Sequence, residues 1–191
     1  MSERDDLKAT LTALAVNGGE VSRSRLLSWM RHDDLEVQGQ VYELLRDRRK
    51  LLRVVPPLDE REYRTFYRTH MVAVMGAELE PLSDLNNFAP AWDIAGWLRS
   101  LVDDSAVTPK TLDEFVDWLA AVYISSSPKV RTVLVTGALE HLFEDRRIRK
   151  LFAAWKSHPQ LSAAYADAMM WVAKGGDSPI VGRRRSRSRK K

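Results

Sequence analysis

The sequence contains no cysteine, and this absence excludes several kinds of chemistry at once. A chain without cysteine forms no disulfide, has no thiolate nucleophile and cannot hold zinc through sulfur ligands. It also lacks a run of about 20 apolar residues, the length that a membrane-spanning helix needs. The first residues are charged, whereas a secretory signal would require an apolar stretch there. We therefore expect a cytoplasmic protein with no membrane partner.

The motifs of common enzyme sites are missing as well. There is no G-x-S-x-G around a nucleophilic serine, no G-x-x-x-x-G-K-[ST] phosphate loop and no G-x-G-x-x-G dinucleotide loop. No two of the four histidines have the three-to-five-residue separation of a ligand pair on one helix. His70 falls on an apolar stripe and is predicted to be a core residue. We therefore predict a protein that is not an enzyme and that uses no metal and no cofactor.

Charge is distributed very unevenly along the chain. The last nine residues, RRRSRSRKK, hold seven basic side chains and no acidic one, whereas the whole chain has a formal charge of +4. The first 182 residues therefore carry −3. Because so basic a run buries too little apolar surface to offset the entropy of ordering it, we predict that residues 177–191 form a disordered tail. The tail cations that we expect to contact DNA or RNA are Arg183, Arg184, Arg185, Arg187, Arg189, Lys190 and Lys191. The alternative is that the tail only keeps the chain soluble.

The first 78 residues show a pattern of three helices followed by a short strand and a longer helix. The first helix ends at Asn17-Gly18-Gly19, and Ser22 is placed to cap the second. The run His32-Asp33-Asp34 separates the second helix from the third. Leu51–Val55 is the strand candidate, and residues 59–78 keep the apolar spacing of a long helix.

This order of elements resembles a winged-helix or helix-turn-helix domain, with the third helix in the recognition position. The resemblance covers about 55 residues and implies a DNA-binding module. A wing needs a second strand, but residues 59–78 begin with a capping box, Asp59 and Glu62, which is typical of a helix start. We therefore predict a helix in place of the wing.

Basic residues of this part bunch in the second and third helices. We predict phosphate contacts from Arg23 and Arg25 in the second helix, and from the end of the third. The contacts predicted there are Arg46, Arg48, Arg49 and Lys50. Gln38 and Gln40 are candidates for reading base edges, because a glutamine amide can pair with adenine through two hydrogen bonds. The alternative interpretation is that cations are favourable at any helix C-terminus.

Residues 79–176 have the pattern of a helical bundle. Thr108-Pro109, Ser127-Pro128 and His158-Pro159 each predict a helix that begins with proline, and the loops between helices are short. Trp97 and Trp118 fall partly off the apolar stripes and are candidate anchors for a protein partner or for self-association. The alternative is that both lie in the core, as bundle tryptophans usually do. Trp92 lies on its stripe and is predicted to be buried.

Two stretches of the bundle, NNFAPAWDIAGWL and SSSPKVRTVLVTGALEHLFED, resemble an uncharacterised bacterial helical domain seen among polymorphic-toxin immunity proteins. The likeness covers about half of the chain and carries no binding residue over. Residues 76–182 hold ten basic and 14 acidic side chains, and a surface of this sign suits a basic toxin because opposite potentials select partners.

Together these patterns predict a mainly α protein. A helix-turn-helix-like domain with at most a short strand occupies residues 1–78, a helical bundle 79–176 and a disordered basic tail 177–191. The first functional prediction is a non-enzymatic bacterial DNA-binding or regulatory protein. The alternative is an immunity or antitoxin-like protein that neutralises a basic toxin through its acidic bundle. An antitoxin that also represses its own operon would combine the two.

Overall fold

A computed structural model describes residues 3–47, 52–79 and 85–175 of the chain. The protein is mainly α, as predicted, and one two-stranded sheet accompanies the helices in the described part. The chain divides into two compact units. The first consists of the described residues up to Asp93 together with Ser126–Val133, and the second of Ile94–Ser125 and the described residues from Leu134 onward. The domain boundaries after residues 78 and 176 stay predictions.

The first four described helices all belong to the first unit, and they occur in the order predicted from the sequence. Its elements are α1 (Glu3–Asn17), β1 (Gly19–Ser22), α2 (Arg23–Met30), α3 (Leu35–Asp47), β2 (Leu52–Val55) and α4 (Glu60–Gly76). β1 pairs with β2 in parallel, with Val21 opposite Val54. Gly18 has a φ of 71°, a conformation that favours glycine and lets the chain turn from α1 into β1. The strand candidate is confirmed at β2.

α3 lies at the centre of the first unit, where it packs against α1, α2 and α4. Val37 and Val41 have no exposed surface, and Leu44 is 1% exposed. Among the side chains of α3 that the structure describes, only Glu43 and Arg46 are exposed. A recognition helix needs one open side to enter the major groove, and α3 has little surface free for that purpose.

α3 begins at a side-chain cap, and we expect the loss of that cap to destabilise the protein. The backbone N–H groups of Glu36 and Val37 donate to Asp34 Oδ1 at 2.8 and 3.2 Å, and Arg4 pairs with the same carboxylate. Asp34→Ala is expected to lower the free energy of unfolding by about 1 kcal/mol. Urea denaturation measures this, with the exposed neighbour substitution Asp33→Ala as the control. Equal losses in the two variants would show that the cap contributes nothing.

α4 occupies the place where a wing would begin. Its capping box is confirmed, because Glu62 N donates to Asp59 Oδ1 at 2.8 Å and Asp59 N donates to Glu62 Oε2 at 3.0 Å. The inner side of the helix carries the predicted core residue His70, which is 3% exposed and lies beside the buried Phe66. The predicted helix over residues 59–78 is therefore confirmed.

The second unit is built from helices around an aromatic core. Its helical segments are α5 (Ala89–Asp103, beginning in the first unit), α6 (Pro109–Ser125), α7 (Pro128–Leu134, mostly in the first unit), a π-helical turn (Val135–Leu139), α8 (Glu140–Leu142), α9 (Arg146–Leu151), a 3₁₀ turn (Ala153–Ser157) and α10 (Ser162–Ala173). Phe143 and Phe152 are fully buried, with ring centroids 5.3 Å apart.

Two of the three helix starts predicted at proline in this region are confirmed, at Pro109 and Pro128. The third is wrong, because α10 begins at Ser162, three residues after Pro159. A turn precedes it, in which the N–H groups of Leu161 and Ser162 donate to the His158 carbonyl.

Candidate nucleic-acid interface

Two of the arginines predicted to contact phosphate are engaged by carboxylates within the first unit. Arg23 forms a two-pronged pair with Glu62, with Nη2–Oε1 at 2.6 Å and Nε–Oε2 at 3.1 Å. Arg46 Nη1 donates to Asp93 Oδ2 at 2.8 Å, and the Tyr42 hydroxyl donates to the same oxygen at 2.6 Å. A phosphate would have to compete with a charge-assisted hydrogen bond at both positions.

The other predicted contacts within the described residues differ in their access to solvent. Arg25 is exposed, with its guanidinium 5.1 Å from the centre of the Trp29 ring. Gln38 is half-buried, and its Nε2 donates to the His32 carbonyl at 2.6 Å. Gln40 Oε1 is buried. Neither amide lies on the open surface that base reading requires, and their role in reading bases stays a prediction.

The remaining predicted cations lie outside the described residues. They are Arg48, Arg49 and Lys50, and the seven basic residues of the predicted tail from Arg183 to Lys191. Their contacts with nucleic acid stay predictions, as does the disorder of the tail.

Three other arginines lie together on the outer side of α4. Arg61, Arg64 and Arg68 are separated by three and four residues, a spacing that places them on one side of a helix. Together with Glu60 and Thr65 they line a surface depression of about 340 Å³, which we call the α4 groove. Because all its lining residues belong to one helix, the groove lies between side chains that point outward from α4.

The α4 groove has a positive charge. Its lining holds three arginines and one glutamate, a net charge of +2. Glu60 pairs with Arg64, the residue four positions later. Glu62, which lies beside Arg61 in the sequence, is turned toward Arg23 and held there by their hydrogen bonds, which lower the pKa of its carboxyl. This acid therefore stays ionised and paired next to the groove.

Sequence reasoning missed the groove because the long helix was recognised from its apolar stripe. The signal that identifies the groove is the R-x-x-R-x-x-x-R spacing from Arg61 to Arg68 on the opposite side of the same helix. The three cations span about 10 Å along the axis, since a helix rises 1.5 Å per residue.

The candidate partner-binding residues of the second unit are half-buried. Trp97 and Trp118 each meet the buried Phe115 edge to face, with centroid distances of 5.0 and 5.3 Å. The two indoles are 6.3 Å apart. Their rings therefore cover part of the core, and their use as partner anchors stays a prediction.

The prediction that Trp92 is buried is wrong. Trp92 is 45% exposed, and Phe88, four residues earlier, is 39% exposed. The side of α5 that is buried carries Ala91, Ile94 and Leu98, none of which has exposed surface. Trp92 follows Ala91 by one residue, a rotation of about 100° that turns the indole away from the core.

The second unit also buries polar atoms near the end of the π-helical turn. Within the described residues, His141 Nδ1, Glu144 Oε1 and Trp171 Nε1 are buried without a hydrogen-bond partner. The first two atoms are 3.9 Å apart. The described part of the chain holds no group of three or more His, Cys, Asp or Glu residues that could bind a metal ion.

Comparisons with protein-family models, with curated proteins and with solved structures give no match to this chain. None of the helices that the structure describes is both long enough and apolar enough to cross a membrane. Among the described residues of the first unit, the α4 groove brings three arginines together in the lining of one depression.

Proposed function

We propose that this chain is a nucleic-acid-binding regulatory protein without enzymatic activity, whose first unit contacts phosphate groups through the α4 groove. The observation that carries the proposal is the alignment of Arg61, Arg64 and Arg68 on one side of α4 around a depression with only one carboxylate in its lining. The basic residues at the C-terminus add a second, sequence-independent attraction to the same polyanion.

Arginine suits this task for physical reasons. Its guanidinium stays charged at every pH at which the protein is folded, and its planar fork matches two phosphate oxygens at once. Contacts of this kind fix the position of a nucleic acid but carry no sequence information. Because α3 offers little open surface, we expect the first unit to bind the sugar–phosphate backbone with little preference among base sequences.

Replacement of the three arginines by glutamine is expected to reduce the salt dependence of binding. Each phosphate contact with duplex DNA contributes a slope of about −0.9 to log K against log salt, so loss of three contacts reduces the slope by about 2.7. Fluorescence anisotropy of a labelled duplex, measured with the full-length chain between about 50 and 200 mM salt, gives this slope.

The control for this experiment removes the same number of charges elsewhere. Lys110, Arg146 and Lys150 are exposed cations of the second unit, and their replacement by glutamine changes the net charge equally. We expect this control to bind more strongly than the α4 variant at every salt concentration. If both variants have the same affinity and the same slope, the α4 groove does not contact phosphate.

Glu60→Gln is expected to strengthen binding. The substitution removes the one carboxylate of the groove and frees Arg64 from its pair, so the lining charge rises from +2 to +3. One more unit of charge about 4 Å from a phosphate raises affinity roughly fivefold at low salt. Damage to the fold cannot produce a gain, so unchanged affinity in the same anisotropy assay would count directly against the groove.

A second function, neutralisation of a basic toxin, is favoured by the surface of α6. Asp113, Glu114 and Asp117 are all exposed on this helix. Lys110 Nζ lies 3.9 Å from Glu114 Oε1. Such an acidic surface suits a basic protein by charge complementarity. A basic protein that co-purifies with the chain from its native strain, and is lost when the three acids become amides, would support this function. Recovery of nucleic acid alone would exclude it.

A further inference from the structure

We infer that the outer side of α10 is a self-association surface, on which α10 of a second copy of this chain packs in the antiparallel direction. We call this surface the α10 face, and its exposed residues are Ala163, Ala166, Asp167, Met170, Ala173 and Lys174. The inference concerns the second unit and does not rest on the proposed binding of nucleic acid.

The α10 face has few polar groups for a surface in contact with solvent. α10 has 12 residues, Ser162–Ala173, and Asp167 is the only charged residue among them. The inner side of the helix is already packed, since Ala164 and Ala168 have no exposed surface. A surface helix usually presents charged and polar side chains on the side opposite its apolar stripe, whereas a helix that is apolar all round is typical of one covered on both sides.

Met170 lies at the centre of the α10 face and is 55% exposed. Because successive residues of a helix are about 100° apart, Ala163, Ala166 and Ala173 project within about 60° of Met170 around the axis. All three alanines are exposed. Small side chains let two helix axes approach closely, and a flexible methionine fills the irregular gaps between them. The face therefore has the composition of a surface on which another helix can pack.

The two charges of the face identify a second copy of the chain as its occupant. Asp167 and Lys174 are seven residues apart, so they lie about 20° apart around the helix axis and about 10 Å apart along it. Lys174 keeps the helical position, because its N–H donates to the Met170 carbonyl at 3.2 Å. Neither side chain forms a direct ion pair with another residue in the described part of the chain. Met170 lies between their two levels.

A two-fold axis at the level of Met170 makes the α10 face complementary to itself. Two antiparallel copies related by this axis place Asp167 of each beside Lys174 of the other, on the same side of the helix pair, so two ion pairs form at once. In a parallel pair, Asp167 would face Asp167 and Lys174 would face Lys174. The dipoles of two parallel helices would also repel each other, so the charges select the antiparallel dimer.

Glu140 of α8 adds to the acidic part of this charge pattern. Burial raises the pKa of its carboxyl, Asp167 raises it further, and Lys174 lowers it. With Glu140 counted, each copy contributes two acids and one lysine at this edge of the face. The apolar contacts of Met170 and the alanines therefore supply the attraction, while the ion pairs set the orientation, and Lys174 is the more critical of the two charges.

Sedimentation velocity over a range of protein concentrations tests the inference on the full-length chain, freed of nucleic acid. A helix of 12 residues is about 18 Å long and offers a small contact, so we expect a reversible equilibrium between monomer and dimer. Met170→Glu should raise the dissociation constant roughly a hundredfold, because two carboxylates would be buried opposite each other at the axis.

Val16→Glu is the matched control for this variant. Val16 is 72% exposed on α1, and its replacement makes the same change of charge outside the α10 face. We expect the control to dimerise as the wild type does. A wild-type chain that stays monomeric at every concentration, or equal effects of the two variants, would overturn the inference.

Charge reversals test the antiparallel arrangement. Lys174→Asp should raise the dissociation constant roughly tenfold, because both ion pairs become pairs of carboxylates beside Glu140. Asp167→Lys should have a smaller effect, since Glu140 offsets part of the added positive charge. Lys110→Asp, a reversal at an exposed lysine of α6, is the control and should leave dimerisation unchanged.

A mixture of the two reversed variants provides the sharpest comparison. When Asp167→Lys and Lys174→Asp chains are mixed with one of them labelled, both lysines of one chain face both aspartates of the other across the two-fold axis. We expect a heterodimer that is more stable than either variant alone and close to the wild type in affinity. If the mixture associates no more strongly than the separate variants, or if Lys174→Asp dimerises as the wild type does, the antiparallel α10 dimer is wrong.

Discussion

Acidification from pH 7 to below about pH 4 is expected to lower the free energy of unfolding of the first unit by about 3 kcal/mol through His70 alone. This side chain is 3% exposed, and burial lowers its pKa from 6.5 to about 4. The unfolded chain therefore binds a proton at His70 below pH 6.5, while the folded chain excludes it until about pH 4. Stability from this group is fully present above pH 6.5 and is lost as the pH falls toward 4. About 2 kcal/mol of the loss should occur between pH 7 and pH 5.

The surroundings of His70 explain why it resists protonation. Its ring lies between those of Tyr42 and Phe66, at centroid distances of 5.1 and 5.8 Å. Its Nδ1 is buried without a hydrogen-bond partner in the described part of the chain. Tyr42 and the neighbouring Tyr67 stay neutral, because burial raises the pKa of both hydroxyls far above their ordinary value. An imidazolium would therefore be desolvated, and the described groups around it are aromatic rings and neutral hydroxyls.

Urea denaturation at pH 7 and pH 5 measures the effect when the wild type is compared with His70→Phe. The phenylalanine variant should lose about 2 kcal/mol less between the two pH values, whatever its stability at pH 7. His158→Gln, a change at a half-exposed histidine of the second unit, is the control for removal of an imidazole elsewhere in the chain. Equal losses in wild type and His70→Phe would show that His70 does not remain neutral in the folded chain.

Removal of Arg183–Lys191 is expected to have the largest effect on nucleic-acid affinity. The deletion changes the formal charge from +4 to −3. If four of the seven cations contact phosphate, the full-length chain loses roughly a factor of 100 in affinity between 50 and 200 mM salt through the tail alone. The shortened chain should lack this part of the salt dependence.

The same deletion should leave the melting temperature unchanged, because the nine residues contain no apolar side chain that could pack. Thermal melts and salt titrations of both chains measure the two effects. A marked fall in melting temperature would assign the tail a structural role. An unchanged salt slope would show that these cations do not contact the nucleic acid.

Local signals in the sequence predicted most of the helix starts. Ser22 caps α2 by accepting from Arg25 N at 3.3 Å, and the Asp59–Glu62 capping box begins α4, as the residue types indicated. β1 was not predicted, because only Val21 of its four residues is buried and so short a segment shows no alternation. Pairing with β2, more than 30 residues later, is what defines it as a strand.

The candidate site was less accessible to sequence reasoning, because it depends on which charges meet in space. Arg23 and Glu62 are 39 residues apart, and Arg46 and Asp93 are 47 apart, so no local pattern shows that these cations are already paired. Gln38 and Gln40 looked available for bases because helix position alone does not show burial. The arginines of α4 were visible as a spacing, but the depression that they line together with Glu60 and Thr65 is a feature of the folded helix surface.

Binding of nucleic acid by the folded first unit through Arg61, Arg64 and Arg68 can be tested without the C-terminal cations. A labelled DNA duplex is titrated with salt in the presence of the chain that ends at Gly182, with and without glutamine at these three positions. We expect the shortened wild type to bind at low salt with a slope of about −2.7, and the triple variant to lose that slope. Absence of binding by the shortened wild type at low salt, or an equal slope in the triple variant, would contradict the claim.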